Sequence, residues 1–154
     1  MDTQVIELLG RNYLVNQLLE AGLEVARPER DKGIDLIAYL DEGDVFVAVP
    51  IQMKASSERS FTISRKYHKF PNMLLVYVWQ LRSDLKSEIY AMTYAESVKI
   101  GDEMGWTQTS SWKDNNHYSS TTVGSRLQDC LEPYRVTLET WKPLIRKVAG
   151  HGSD

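Results

Sequence analysis

Residues 33 to 55, GIDLIAYLDEGDVFVAVPIQMKA, restrict the fold more than any other part of the 154-residue chain. Two runs of Ile, Leu, Val and Ala flank a Gly43-Asp44 pair. Glycine first in a two-residue loop suits a type II′ turn, so the pattern predicts a hairpin with strands 34–42 and 45–55. Pairing across that turn sets Val45 against Glu42 and, counting back, Gln52 against Asp35. Side chains directly opposite share a face, and Lys54, two residues beyond Gln52, shares it too. A carboxylate, an amide and an ammonium therefore converge on one side of a sheet, where each costs free energy to desolvate. Pro50 lacks an N–H for the ladder and predicts a local irregularity.

The flanking segments supply the remaining elements. Residues 3–21 carry Val5, Leu8, Leu9, Val15, Leu18 and Leu19 at helical spacing, with Asp2 or Thr3 as cap and Gly22 after the end. Gly10 inside that helix weakens it. LEVAR is a short strand candidate and PERDKG a polar loop. TISRKYHKF reads as a short helix or turn bearing Arg65, Lys66 and Lys69. NMLLVYVWQL reads as a strongly apolar, central strand, and SEIYAMT as another strand. Thr93 and Glu96 have capping-box spacing for a helix ending near Gly105. Residues 106–125, rich in Ser, Thr and Asn, read as a long irregular connection holding Trp106, Trp112 and Tyr118. Helical segments follow around 125–132 and 138–149. One domain over 1–150 and a polar tail, 151–154, are expected.

The net charge of −3 argues against a chain coated in positive charge for non-specific nucleic-acid binding, though not against a local basic patch. Cys130 is the one cysteine, which excludes an intrachain disulfide and a cysteine-cluster zinc site. His68, His117 and His151 lack metal-ligand spacing. No segment reads as a membrane span or signal peptide, so the expected location is the cytoplasm and no membrane partner is expected.

The order helix, strand, hairpin, helix, strand, with Asp35 in GIDLIAY and the Gln52-Met53-Lys54 triplet in PIQMKA, resembles the PD-(D/E)XK nuclease superfamily over about the first 80 residues. The resemblance implies an α/β fold, a restriction-endonuclease-like mixed sheet flanked by helices. It implies a metal-dependent endonuclease that hydrolyses phosphodiester bonds, with Mg²⁺ (or Mn²⁺) as cofactor and DNA as partner. The family's aspartate matches Asp35 and its lysine Lys54. Gln52 stands where the second acidic residue is usual. Glu7 is the candidate for the first-helix glutamate, by position. Asp35, the Gln52 amide, the Met53 backbone carbonyl and Glu7 are then the expected cation ligands, since Mg²⁺ takes oxygen donors. Lys54 would assist a water and stabilise developing charge. A homodimer would supply two sites for two strands.

Each feature has a plainer counterpart. Asp35 and Lys54 could form a semi-buried ion pair with Gln52 bonded to both. Glu7 could pair with Arg11 one turn on. Arg59, Arg65, Lys66 and Lys69 could contact phosphates or be a solvated face. Trp106, Trp112 and Tyr118 fit a core more readily than a base-stacking platform. The alternatives to a nuclease are a catalytically degenerate nuclease-fold protein that binds nucleic acid or a protein partner, and an interaction protein whose polar trio is structural.

Overall fold

The computed structural model describes residues 2–82 and 84–150; the 151–154 tail, with His151, lies outside the described residues. The hairpin sets the frame. β2 (Leu36–Glu42) and β3 (Val45–Ala55) pair antiparallel from Glu42↔Val45 to Leu36↔Ile51, the register expected from the turn. Gly43 has φ +57°. The pairing runs through Ile37↔Pro50 without a bulge, contrary to the irregularity expected there. The reason is position: the strand Leu74–Trp79 joins the other side of β3 only from Ile51 onward, so that strand asks no N–H of Pro50.

β1 (Glu24–Ala26) extends the hairpin on one side. β5 (Leu74–Trp79) lies parallel to β3 on the other, and β6 (Glu88–Met92) closes the sheet antiparallel to β5, giving the order β1-β2-β3-β5-β6. The architecture is α/β, a five-stranded mixed sheet flanked by helices, as expected. All six β5 residues are buried. Leu74, Val76 and Val78 enter one core with α1 (Thr3–Glu20) and α5 (Trp141–Val148). Leu75, Tyr77 and Trp79 enter a second core on the opposite face, with α2 (Tyr94–Glu103) and α4 (Ser125–Leu131). Two covered faces explain the unbroken apolar run.

A parallel β3–β5 pair needs a crossover. That crossover carries β4 (Phe61–Ser64) and a 3-10 turn, Arg65–Tyr67, across the second face. β4 pairs antiparallel with β7 (His117–Ser120) as a separate two-stranded sheet. Residues 106–125 are therefore not irregular: a 3-10 turn, α3 (Ser110–Asn115) and β7 order most of them. Trp106 and Trp112 are buried in the second core, and Trp106 stacks on Tyr118 at 4.5 Å. These aromatics pack that layer rather than form a platform.

α1 is capped by Asp2, which accepts from the Gln4 N–H at 2.8 Å. Its buried face is Ile6, Gly10, Leu14 and Leu18; of the expected apolar positions Leu18 is buried and Val15 packs against the core, while Val5, Leu8, Leu9 and Leu19 are exposed. Gly10 decides the rotation. A Cβ there would sit 2.7 Å from Ala55 Cβ and 3.1 Å from Leu81 Cδ1, so the bare glycine lets α1 lie on β3. Gly10→Ala should thus destabilise the fold by about 1–2 kcal/mol, because overpacking outweighs the propensity gain of about 1 kcal/mol. Urea unfolding checks this; a more stable variant would contradict the close approach.

Candidate functional site

β2 stops at Leu36 while β3 continues to Ala55, so Gln52–Ala55 have β5 on one side and an open edge on the other. The chain entering β2 crosses that opening. Asp35 N–H donates to the Ile51 carbonyl at 2.8 Å, and Asp35 Oδ2 accepts from the Met53 N–H at 2.7 Å. In a strand, the N–H and C=O of one residue point to the same side. The Met53 carbonyl therefore faces the open edge beside the Asp35 carboxylate. Val47, Val49 and Ile51 alternate into the α1 face, which puts Gln52 and Lys54 on the other.

Asp35, Gln52, Met53 and Lys54 line one cavity of about 370 Å³ at this edge. Glu7 and Arg11 of α1 reach the same cavity, because α1 lies so close to β3. Asp31 and Tyr77 line it too. Asp31 was not singled out by sequence; the signal was a second aspartate four residues before Asp35 in the loop feeding β2.

The plainer pairings are not formed. Among the described residues no carboxylate lies within 4.0 Å of the Lys54, Arg11 or Lys66 side chains. Lys54 Nζ instead sits 5.2 Å from the centre of the Tyr67 ring, a contact that favours its charge without neutralising it. Gln52 Nε2 reaches only its neighbour's Met53 carbonyl, at 3.5 Å. Gln52 Oε1 is buried with no hydrogen-bond partner. A buried amide oxygen left unpaired is expensive, of order 1–3 kcal/mol.

Asp35, Gln52 and Met53, which carry a carboxylate, an amide oxygen and a backbone carbonyl, line one cavity, and hard oxygen donors of these kinds fit a Mg²⁺-sized cation keeping several waters. Among the described residues no three of His, Cys, Asp and Glu come together, so Glu7, Asp31 and Asp35 do not close into a carboxylate triad. Glu7 is exposed on the cavity rim.

The Asp35 carboxyl is held above the usual carboxylate range. Burial is the main cause; Asp31 adds to it, while the Met53 N–H, Arg11 and Lys54 oppose it. A raised value means the folded state holds the proton more tightly than the unfolded chain. Stability is then lost as pH rises from the ordinary carboxylate value through the raised one. In metal-free buffer Asp35→Asn should melt higher than wild type at neutral pH, with the gap closing in acid. Urea melts across that range check it; a gap independent of pH would show that Asp35 has no such strain.

The basic residues divide. Arg59 is bonded to Glu88 at 3.2 Å, and Glu88 also holds Arg135, so Arg59 is taken out of the expected phosphate patch. Arg65 lies over the Trp112 ring at 4.8 Å and reaches Asn116 Oδ1. Lys66 and Lys69 are exposed on a hollow next to the main cavity.

No family model matches this chain, and no curated protein does. Among solved structures, that of a bacterial homing endonuclease matches with a TM-score of 0.55 and 15% identity, covering 100% of both chains. At that identity the likeness is one of fold.

Proposed function

We propose that residues 1–150 form one nuclease domain of the PD-(D/E)XK type, hydrolysing phosphodiester bonds in DNA with a divalent cation. The observation that carries this is that Asp35, Gln52, whose Oε1 is buried and unpartnered, and Lys54 line one cavity without an ion pair between Asp35 and Lys54. A structural trio would have satisfied itself. The whole-chain likeness to an endonuclease's fold supports the same conclusion.

Asp35, Gln52 Oε1 and the Met53 carbonyl would hold Mg²⁺ or Mn²⁺. When bound, the cation supplies Lewis-acid polarisation of the phosphate and charge neutralisation. The chain's own groups do the rest. Lys54, held by the Tyr67 ring, presents its ammonium to the phosphate and stabilises the charge that grows in the transition state. Arg11, free of Glu7, adds a second positive group on the α1 side of the cavity. Lys66 and Lys69 position the backbone of the nucleic acid. Cutting both strands together calls for two such sites, as in a homodimer.

A nucleic-acid-binding module without catalysis is the second candidate. The single firm carboxylate at the site favours it, since no acidic triad forms among the described residues. A nuclease assay on linear, supercoiled and single-stranded DNA with Mg²⁺ or Mn²⁺ separates the two. Cleavage that disappears with chelator and in Asp35→Ala supports the enzyme. Salt-dependent binding without cleavage on every form supports the module.

A further inference from the structure

A second cavity, of about 330 Å³, adjoins the first; Asp31 and Gln52 line both. Beyond that shared wall its lining includes Lys32, Lys66, Lys69 and Tyr67. All three lysines are exposed, and among the described residues none has a carboxylate within 4.0 Å. Lys66 and Lys69 instead rest against aromatic faces, each 5.1 Å from a ring centre, of Tyr67 and Phe70. Such contacts fix an ammonium in place and leave its charge intact. Three uncompensated positive charges around one small hollow repel one another, and in a chain of net charge −3 acidic partners are not scarce. Tyr67 is 3% exposed, and its hydroxyl is buried without a partner.

Asp31 is the carboxylate on this cavity, and it stands on the wall shared with the Asp35 side. Its Oδ1 accepts from the Gly33 N–H at 3.2 Å, which pins the loop there. The two joined cavities are thus polarised. Glu7, Asp31 and Asp35, with Arg11 and Lys54, line the first; Lys32, Lys66 and Lys69, with the shared Asp31, line the second.

We propose that the lysine-lined cavity is a subsite for one backbone phosphate, the phosphate next to the scissile one on the cleaved strand, with Lys32, Lys66 and Lys69 as its cationic partners. The flanking role rests on the nuclease function proposed above; the anion chemistry does not. A diffuse basic patch would weaken evenly as any phosphate is neutralised. A subsite answers to one phosphate only.

Two experiments together test this. In the first, inorganic phosphate is titrated into the wild-type protein and followed by amide NMR. Saturable shifts should centre on residues 32–33 and 66–70, and Lys32→Gln/Lys69→Gln should weaken them about tenfold or more. Lys113→Gln, an exposed lysine elsewhere, should leave them unchanged. In the second, DNA that the protein cuts carries a single uncharged methylphosphonate, moved step by step along the cleaved strand. Wild type should lose about tenfold or more at one of the two flanking positions, and the double variant should lose nothing further there. Shifts spread over all basic surfaces, or unaltered by the double variant, overturn the subsite while cleavage stands. A methylphosphonate loss of equal size in wild type and double variant overturns it as well. Saturable phosphate binding with no cleavage of any DNA overturns the nuclease function and the flanking role with it.

Discussion

Replacing Lys54 with alanine should lower phosphodiester cleavage by about a thousandfold while leaving thermal stability nearly unchanged. The asymmetry follows from what the ammonium touches. It has no carboxylate partner among the described residues and lies over the Tyr67 ring, so its removal strands no opposite charge and opens no apolar cavity. What is lost is a positive group aimed where negative charge grows in the transition state, and a single lost donor of that kind commonly costs 10²–10³ in rate. Lys54→Arg should fail by about a hundredfold or more. A guanidinium can still lie on the Tyr67 ring, but it is planar and delocalised and cannot deliver a compact charge to one oxygen. Single-turnover cleavage rates beside thermal melts decide. Equal loss of rate and of fold would make Lys54 a structural residue.

Gln52→Glu should change metal affinity and metal-free stability in opposite directions. The new carboxylate joins Asp35 on the same cavity and lies near the Met53 carbonyl, which the Gln52 amide N–H approaches at 3.5 Å. Without a cation, two adjacent carboxylates raise each other's pKa, so the variant should lose stability relative to wild type as pH rises through their titration. With a cation bound, the second negative ligand becomes an asset, and affinity should rise about tenfold or more. Thermal melts of both proteins with and without Mg²⁺ give the comparison. A variant destabilised to the same extent in both buffers would remove the cation from the account.

How much of this could be read from the residues varies with how local the determinant is. The hairpin was legible because the Gly43-Asp44 turn fixes the register arithmetically; the observed pairing keeps that register but ends at Leu36↔Ile51, one pair short of the expected Asp35 against Gln52. The capping box at Thr93 and Glu96 is equally local and is present as read. The buried face of α1 was legible only in part, at Val15 and Leu18. Leu8 and Leu9 outweigh Ile6 in apolarity, yet the helix turns on Gly10, whose lack of a side chain matters only once β3 lies beneath it. Residues 106–125 look like a loop by composition. They become ordered because β7 pairs with β4, 57 positions away from Thr62 to Ser119, a partnership no local pattern announces.

The site divides in the same way. Asp35, Gln52 and Lys54 line one cavity; alternation places Gln52 and Lys54 on one face of β3, while Asp35 comes from the residue just before β2 begins. That Asp35 would bond the Met53 N–H rather than Lys54 depends on β2 beginning only at Leu36, which is a tertiary fact. Arg59 lay in sequence among the other basic residues, and only the approach of Glu88 on the far edge strand withdraws it. Asp31 and Lys32 belong to PERDKG, which by composition is only a polar loop. Their weight comes from the place where the loop enters the sheet.

The most direct test of the central claim is Mn²⁺ titrated into the isotopically labelled protein, with paramagnetic broadening of backbone amides as the readout, since it detects even weak binding and locates it. In wild type, broadening should centre on Asp35, Gln52 and Met53, and Asp35→Asn should abolish it there. Broadening that avoids these residues, or that survives Asp35→Asn unchanged, would contradict a cation site where β2 begins, beside Leu36.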